Sequence, residues 1–451
     1  MADNSYNTFC SFLSNLNNLL WGIGIFALII LIGIYFTIRI KMYNILHFVD
    51  FFKDILSYSS NNSHNASKGK ISHFQALSTA LAASMGTGNI IGVSTAITLG
   101  GPGAIFWMWI SGLIGTSIGF LENVLGHIYK SEGSGPMGYI TKAFNSPRAA
   151  FLYSLLCIGA SFGIGNLTQS NALSSAAGLF NIPCQISGAI SAVIVALIIF
   201  NGAKKVASAA EKLVPFVACI YLIGTIIVIT YFGDNIIEIL TTILKSAFGF
   251  DQISGGISAA ILKKSITIGL RRGIFSNESG LGTSVLIHSE AETNSPVEMG
   301  KFAIVEIFID TIVCCTATAF VILLSGAHTS GTEGLAQLTL AFSQVIGRAA
   351  PFFVSSVTII FAFCTLIGWY FYGEKCIEYA FKTGNSKTLL MYRFMYTCAV
   401  YAGAVAQLQL VWEIADILNW IMLVLNLTAV FILHNKAIKV VNDYTNSINI
   451  K

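Results

Sequence analysis

Charged side chains are scarce in this sequence: Asp, Glu, Lys and Arg make up 10% of its 451 residues, against 55% apolar residues and a mean hydropathy of +0.73. A water-facing surface needs far more charge than that, so a soluble globular domain is excluded. The net charge of +4 is small, and its cations fall in the loops of a membrane topology, which gives no footing for a nucleic-acid partner. The first nineteen residues hold no Lys or Arg. The basic head of a secretory signal is therefore missing, and the first apolar segment, about Leu20 to Thr37, is expected to be retained. The nine cysteines, Cys10, Cys157, Cys184, Cys219, Cys314, Cys315, Cys364, Cys376 and Cys398, show no metal-ligand spacing. Most sit in apolar segments as small core residues. Only Cys10 and Cys184 fall outside in the topology below, the one pair that a disulfide would join.

What the chain has is apolar length. About 20 apolar residues cross a bilayer core of about 30 Å, and hydropathy gives about eleven such segments, at about 20–38, 73–99, 102–129, 149–180, 187–201, 212–232, 255–290, 297–325, 350–374, 388–407 and 411–434. The fold class is an all-α membrane protein, one bundle of about eleven transmembrane helices. With the N-terminus outside, the loop cations from Arg39 and Lys41 to Lys436, Lys439 and Lys451 fall on the inner face, and the outer loops hold only Lys245 and Arg348. The positive-inside rule then places the N-terminus out and the C-terminus in the cytoplasm. The expected location is a bacterial cytoplasmic (inner) membrane.

Two of these segments are broken. One carries Met85-Gly86-Thr87-Gly88-Asn89 and the other Phe275-Ser276-Asn277-Glu278-Ser279-Gly280. Backbone released from helical hydrogen bonding at membrane depth survives only against protein or a watery cavity, so paired breaks point to a solute site near the midplane. Segments two and seven lie five spans apart and enter from opposite faces, the arrangement of an inverted five-plus-five repeat with one additional N-terminal helix. The expected organisation is an N-terminal span and cytoplasmic loop over 1–70, a transporter core over 71–435 with repeats of about 71–232 and 250–435, and a cytoplasmic tail over 436–451. The Asn- and Lys-rich stretch 58–70 reads as a connection.

Unwinding frees carbonyls at the end of the first half-helix, which suit a hard cation such as Na⁺. It also frees amides at the start of the second, which suit a carboxylate. Ser276 and Asn277 bring a hydroxyl and an amide to the same depth. A lone Gly-x-Gly in a membrane helix would mean only close packing; the second break turns the reading toward a site.

The residues also carry a family pattern. The run Ala76 to Val93 with Gly86-Thr87-Gly88-Asn89-Ile90, then Gly100-Gly101-Pro102-Gly103, Phe162-Gly163-Ile164-Gly165-Asn166 with Gln169, Arg272-Gly273-Ile274-Phe275-Ser276-Asn277-Glu278-Ser279-Gly280, and Gly368-Trp369-Tyr370 closely resemble the alanine or glycine:cation symporter family over about residues 70 to 435. The resemblance implies a LeuT-like fold and uptake of alanine or glycine driven by Na⁺ as coupling ion. It implies that Gly86, Thr87, Gly88, Asn89, Ser276 and Asn277 surround the amino acid, with Gln169 and Trp369 closing the pocket. For the cation it implies carbonyls of segment two, at Ala83 and Gly86, with the hydroxyl of Thr365. Relatives usually carry a serine where this chain has Cys364, and thiol sulfur is a poor ligand for Na⁺. They also carry a tyrosine where this chain has Gly138, a departure that touches any inner-gate role of that loop.

Intramembrane charges remain to be placed: Glu122, Arg271, Arg272, Glu278, Glu306 and Asp310. Opposite charges near an inner gate are expected to pair in a structural or gating network, with direct proton coupling through Glu122 or Asp310 as the alternative. An intramembrane enzyme is disfavoured. There is no His-Glu-x-x-His pair, and Asn277-Glu278-Ser279-Gly280 lacks the first glycine of the rhomboid-type Gly-x-Ser-Gly run. A channel is disfavoured because no ring-forming selectivity sequence is present. A 100 mV potential supplies about 2.3 kcal/mol per charge and a tenfold ion gradient about 1.4 kcal/mol, so Na⁺ and H⁺ are equally able drivers.

Overall fold

The computed structural model describes residues 2–61, 72–249, 258–291, 293, 295–382, 386–406 and 409–449, all of whose long elements are helices. The expected connection over 58–70 and the first residues of segment seven lie largely outside the described residues. Helices α1 (Ala2–Leu20) and α2 (Ile23–Arg39) precede the core and are followed by the short α3 (Tyr43–Leu46) and α4 (Phe48–Asn61). The first half of the core holds the broken pair α5 (His73–Ser84) and α6 (Ile91–Gly100), then α7 (Gly103–Ile128), the short α8 (Pro136–Phe144), α9 (Pro147–Phe162) running into α10 (Thr168–Gly178), α11 (Cys184–Ile199) and α12 (Ala203–Tyr231). After α13 (Ile236–Phe248) the order returns: the broken pair α14 (Ser258–Asn277) and α15 (Thr283–His288), α16 (Pro296–Ile307) running into α17 (Thr316–Leu324), the short α18 (Gly334–Ile346), α19 (Ala350–Phe381), α20 (Ser386–Val405) and α21 (Gln409–Asn449). A short helix in the same slot of each half, α8 and α18, strengthens the correspondence.

Each segment expected from hydropathy coincides with one of these helices or broken pairs. By length and composition seven described helices cross a membrane, and the bent pair in segment two brings the number to eight. Helix α14 misses that test because Lys263, Lys264, Arg271 and Arg272 interrupt its apolar run. Helix α11 misses it by length, with 16 residues. Helix α20 also falls outside that set, so the three expected segments not counted by this criterion are those of α11, α14 and α20.

Local sequence explains where the helices begin and bend. Ser72 caps α5 by accepting from Gln75 N while Gln75 Oε1 accepts from Ser72 N, each at 3.1 Å, which fixes the start of the broken segment. Pro147 and Pro296 open α9 and α16, where a missing N–H is harmless. The junctions α9–α10 and α16–α17 pass through π-helical turns at Gly163–Leu167 and Phe308–Cys315. Such turns widen a helix and often mark functional positions; the second packs on the break in segment two. Small buried residues on α5, Ala76, Ala80, Ala82 and Ala83, let α12 and α19 approach closely. All nine cysteines are free thiols, Cys10 and Cys184 included.

Candidate substrate and cation site

In segment two the last regular helical bond runs from Met85 N to Leu81 O, and the chain then turns by 56° before α6. Gly86 takes φ −134° and ψ −146°, and its amide donates to Asn89 Oδ1 at 3.0 Å. A side chain at Gly86 is excluded sterically, because its β-carbon would run into Thr365 Oγ1 and lie 3.2 Å from Gln169 Oε1. The neighbouring Thr87 donates to that same Gln169 oxygen from its amide at 3.3 Å and from its hydroxyl at 3.0 Å. Gln169 sits just beyond the first π-helical turn, anchored by its own amide on Ile164 O at 3.2 Å. Gly86, Thr87, Gln169 and Thr365 therefore converge.

Thr365, on α19, donates to Phe361 O at 3.2 Å and faces Met85 O at 3.5 Å. Helix α19 reaches this close because Gly368 packs on the backbone of Ala83. The carbonyl opposite Thr365 is thus that of Met85, which sequence reasoning passed over in favour of Ala83 and Gly86. Cys364 is buried in the same helix. Adjacent helical residues do not share a face, so its thiol is directed away from the hydroxyl that meets segment two.

Segment seven reaches the same place from the other side. Helix α14 ends at Asn277, and Glu278, Gly280 and Gly282 turn left-handed with φ of 54°, 88° and 77°. Ser276 Oγ donates to Asp310 Oδ2 at 2.7 Å, and Asn89 Nδ2 donates to Asp310 Oδ1 at 2.7 Å and to Asp310 O at 3.0 Å. Thr311 adds a third donor to the carboxylate at 2.9 Å. One fully buried carboxylate on the second π-helical turn therefore joins both breaks. Gly88 lies against Phe275 and the backbone of Ser276, so the two breaks touch directly.

Asn277 departs from expectation. Its amide donates to Ser111 Oγ of α7 at 3.1 Å and its oxygen caps Ser279 N at 3.0 Å, so it props the break from behind rather than entering the cluster around Thr87. Trp369 packs on the first π-helical turn: its side chain lies where a β-carbon of Gly165 would be, and its ring meets Tyr372 edge-on at 5.5 Å.

The intramembrane charges do not pair with one another. Arg271 pairs with Asp416 of α21, and Arg272 lies over the Trp412 ring at 5.3 Å. Glu122 accepts from Asn426 Nδ2 at 2.5 Å, an amide that also donates to Gly280 O at 2.8 Å while its oxygen accepts from Tyr139 at 2.5 Å. Glu278 accepts from Thr283 at 2.6 Å, and Glu306 meets His288 at 2.9 Å. The expected ion-pair network is replaced by separate contacts: Arg271 and Arg272, before Ser276, turn to α21, whereas Glu278, after it, turns to Thr283. Asp416, Asn426, Tyr139 and His288 were missed from sequence. Each is a polar residue in an apolar helix, the one signal that marks them. Tyr139 stands next to Gly138, whose Cα packs under the Gly133 and Tyr129 carbonyls, so a phenol does reach this latch from the neighbouring position.

The residues present fit a monovalent hard cation: the Met85 carbonyl and the Thr365 hydroxyl are neutral oxygens, and the Asp310 carboxylate stands two hydrogen bonds away with no Lys or Arg paired to it among the described residues. An uncompensated carboxylate at the centre of a membrane helix is unfavourable by about 2.5–3.5 kcal/mol on insertion scales, which gives the site a standing attraction for positive charge.

The sodium:alanine symporter family model matches residues 6–451. The chain belongs to the sodium:alanine symporter family. It is 38% identical over 437 residues to the "Probable sodium/glutamine symporter GlnT" of Bacillus subtilis, covering 95% of this chain and 89% of that one. It is 35% identical over 439 residues to the "Sodium/alanine symporter AgcS" of Methanococcus maripaludis, covering 94% and 95%. Among solved structures, MhsT in complex with L-phenylalanine superposes with a TM-score of 0.58 at 14% identity, over 81% of this chain and 89% of that one. At that identity the likeness establishes the fold, which is LeuT-like. Family and relatives are transporters, and cation-coupled amino-acid symport is the activity they share.

Proposed function

We propose that this family member carries alanine or glycine into the cell together with Na⁺ by alternating access. The observation that carries the reading is the meeting of the two breaks: Asn89 and Ser276 on Asp310, with Thr87, Gln169 and Thr365 closing around Gly86. The ammonium and carboxylate of a zwitterion need acceptors and donors at one spot, which the freed backbone of segment two offers beside Gln169. Trp369 and the absence of room at Gly86 favour a side chain no larger than a methyl. Na⁺ takes the Met85 carbonyl and the Thr365 hydroxyl, and Asp310 contributes the field of its charge.

The likeness to a sodium/glutamine symporter makes glutamine the substrate to compare. Purified protein in liposomes, given Na⁺ and H⁺ gradients separately, should accumulate alanine or glycine with the Na⁺ gradient and leave glutamine outside. Uptake driven by H⁺ with no effect of Na⁺ overturns the coupling ion; accumulation of glutamine alone overturns the cargo.

A further inference from the structure

Beside the site, α15 and α16 meet through a second buried acid, Glu306, that touches neither Gly86 nor Thr365. His288 Nε2 and Glu306 Oε2 are 2.9 Å apart and both side chains are 1% exposed. The other carboxylate oxygen, Glu306 Oε1, is buried and has no hydrogen-bond partner. A carboxylate has room for about four hydrogen bonds and is strongly penalised when buried with an empty oxygen; a carboxylic acid donating through one oxygen tolerates it far better.

No Lys or Arg is paired with Glu306 among the described residues: Lys375 of α19 is engaged with Glu290 and Glu378, each at 3.2 Å, and His127 of α7 meets Thr293 O at 3.2 Å. Within the electrostatic reach of Glu306 lie Glu122 from α7, Glu278 from the break, Asp310 from the π-helical turn and the phenol of Tyr372 from α19. From α5, His73 stacks on Phe302 at an interplanar angle of 5°, and His288 packs on the same ring at 26°. Lys301, earlier on α16, is engaged with Asp54 of α4 at 2.8 Å and lies over the Tyr444 ring of α21. From α8, Tyr139 is turned to Asn426. Burial with Oε1 left unpartnered disfavours a charge on Glu306, and a proton fits between atoms 2.9 Å apart.

We propose that His288 and Glu306 form a proton-binding site, loaded with one proton while α15 and α16 are packed together and emptied to water when they part. In the loaded form the Glu306 carboxyl O–H donates to His288 Nε2, and His288 keeps its own ring proton on Nδ1, so the pair is neutral. Release breaks the Glu306 O–H bond, the proton leaves to water and the electron pair stays on a carboxylate that only solvent can then satisfy. Glu306 stands one helical turn before Asp310, so the pair and the site share one rigid element: Ser276–Asp310 and His288–Glu306 are successive rungs between segment seven and the α16–α17 span. Closing the inner limb of segment seven and taking up a proton become one event.

The proposal rests on the transport reading for its role in the cycle, but the proton itself is measured separately. Infrared spectra of the protein in lipid vesicles at neutral pH should show a protonated-carboxyl band that Glu306→Gln removes; a difference spectrum showing only an ionised carboxylate overturns the proposal. In liposomes with a fixed Na⁺ gradient and fixed external pH, lowering the internal pH by one unit should slow alanine release inward by up to about tenfold, the slope of one linked proton. Glu306→Gln and His288→Gln should flatten that response, and an undiminished response in both overturns the linkage. If no vesicle transports alanine under any gradient, the transport reading fails and the infrared difference still decides the proton site.

Discussion

The two breaks look alike in sequence and behave differently in the fold. In segment two the break is held from its side chains: Asn89 Oδ1 takes the Gly86 amide, Gln169 takes Thr87, and the Met85 carbonyl faces the Thr365 hydroxyl. In segment seven the break is held from its backbone by neighbouring helices: Gly280 O accepts from Asn426 at 2.8 Å and Leu281 O from Tyr153 at 2.6 Å. Its left-handed residues, Glu278, Gly280 and Gly282, make a turn no helix continues through. The first break is therefore a cradle whose backbone is turned toward the site. The second is a hinge latched from the inner side, with only Ser276 lent to the site.

The largest effect should come from the cradle. Gly86→Ala puts a methyl against Thr365 and Gln169, a misfit of about 3 kcal/mol, and Na⁺-stimulated alanine uptake in liposomes should fall about a hundredfold. Uptake within a few-fold of the parent would erase the distinction between the breaks. Next comes the latch. Asn426→Ala strips a partner from Glu122, Tyr139 and Gly280 at once. It should lower stability by about 1–3 kcal/mol in thermal unfolding while Na⁺ affinity stays unchanged; a matching loss of Na⁺ affinity would make segment seven part of the cradle. The smallest effect belongs to Asn277→Ala, because its amide is turned to Ser111. Alanine affinity should shift by less than about threefold, about 0.6 kcal/mol, and a larger loss would bring Asn277 back into the pocket.

How much of this was legible in the chain follows the same division. The breaks and the meeting of Gly86, Thr87, Gln169 and Thr365 were readable, because glycine runs in apolar segments and a family pattern mark them one residue at a time. Asp310 was marked as a costly buried charge, yet its place between Asn89 and Ser276 depends on a π-helical turn that sequence spacing does not announce. The pairings of Arg271 with Asp416 and of Glu122 with Asn426 were not legible. They join helices more than a hundred residues apart, and only the packing of α21 against the core decides them. Asn277 shows the limit of carrying a role by position: the residue is where the motif puts it, and the twist of the last helical turn aims its side chain elsewhere.

The claim that matters most is that segment two holds cation and amino acid together, with Thr365 supplying the hydroxyl that faces the Met85 carbonyl. Equilibrium binding of alanine to the purified protein, titrated with Na⁺, tests it most directly in the parent and in Thr365→Val, which keeps the shape and removes the hydroxyl. The account predicts alanine affinity that rises with Na⁺ in the parent and barely responds in the variant. Identical Na⁺ dependence in the two proteins would contradict it.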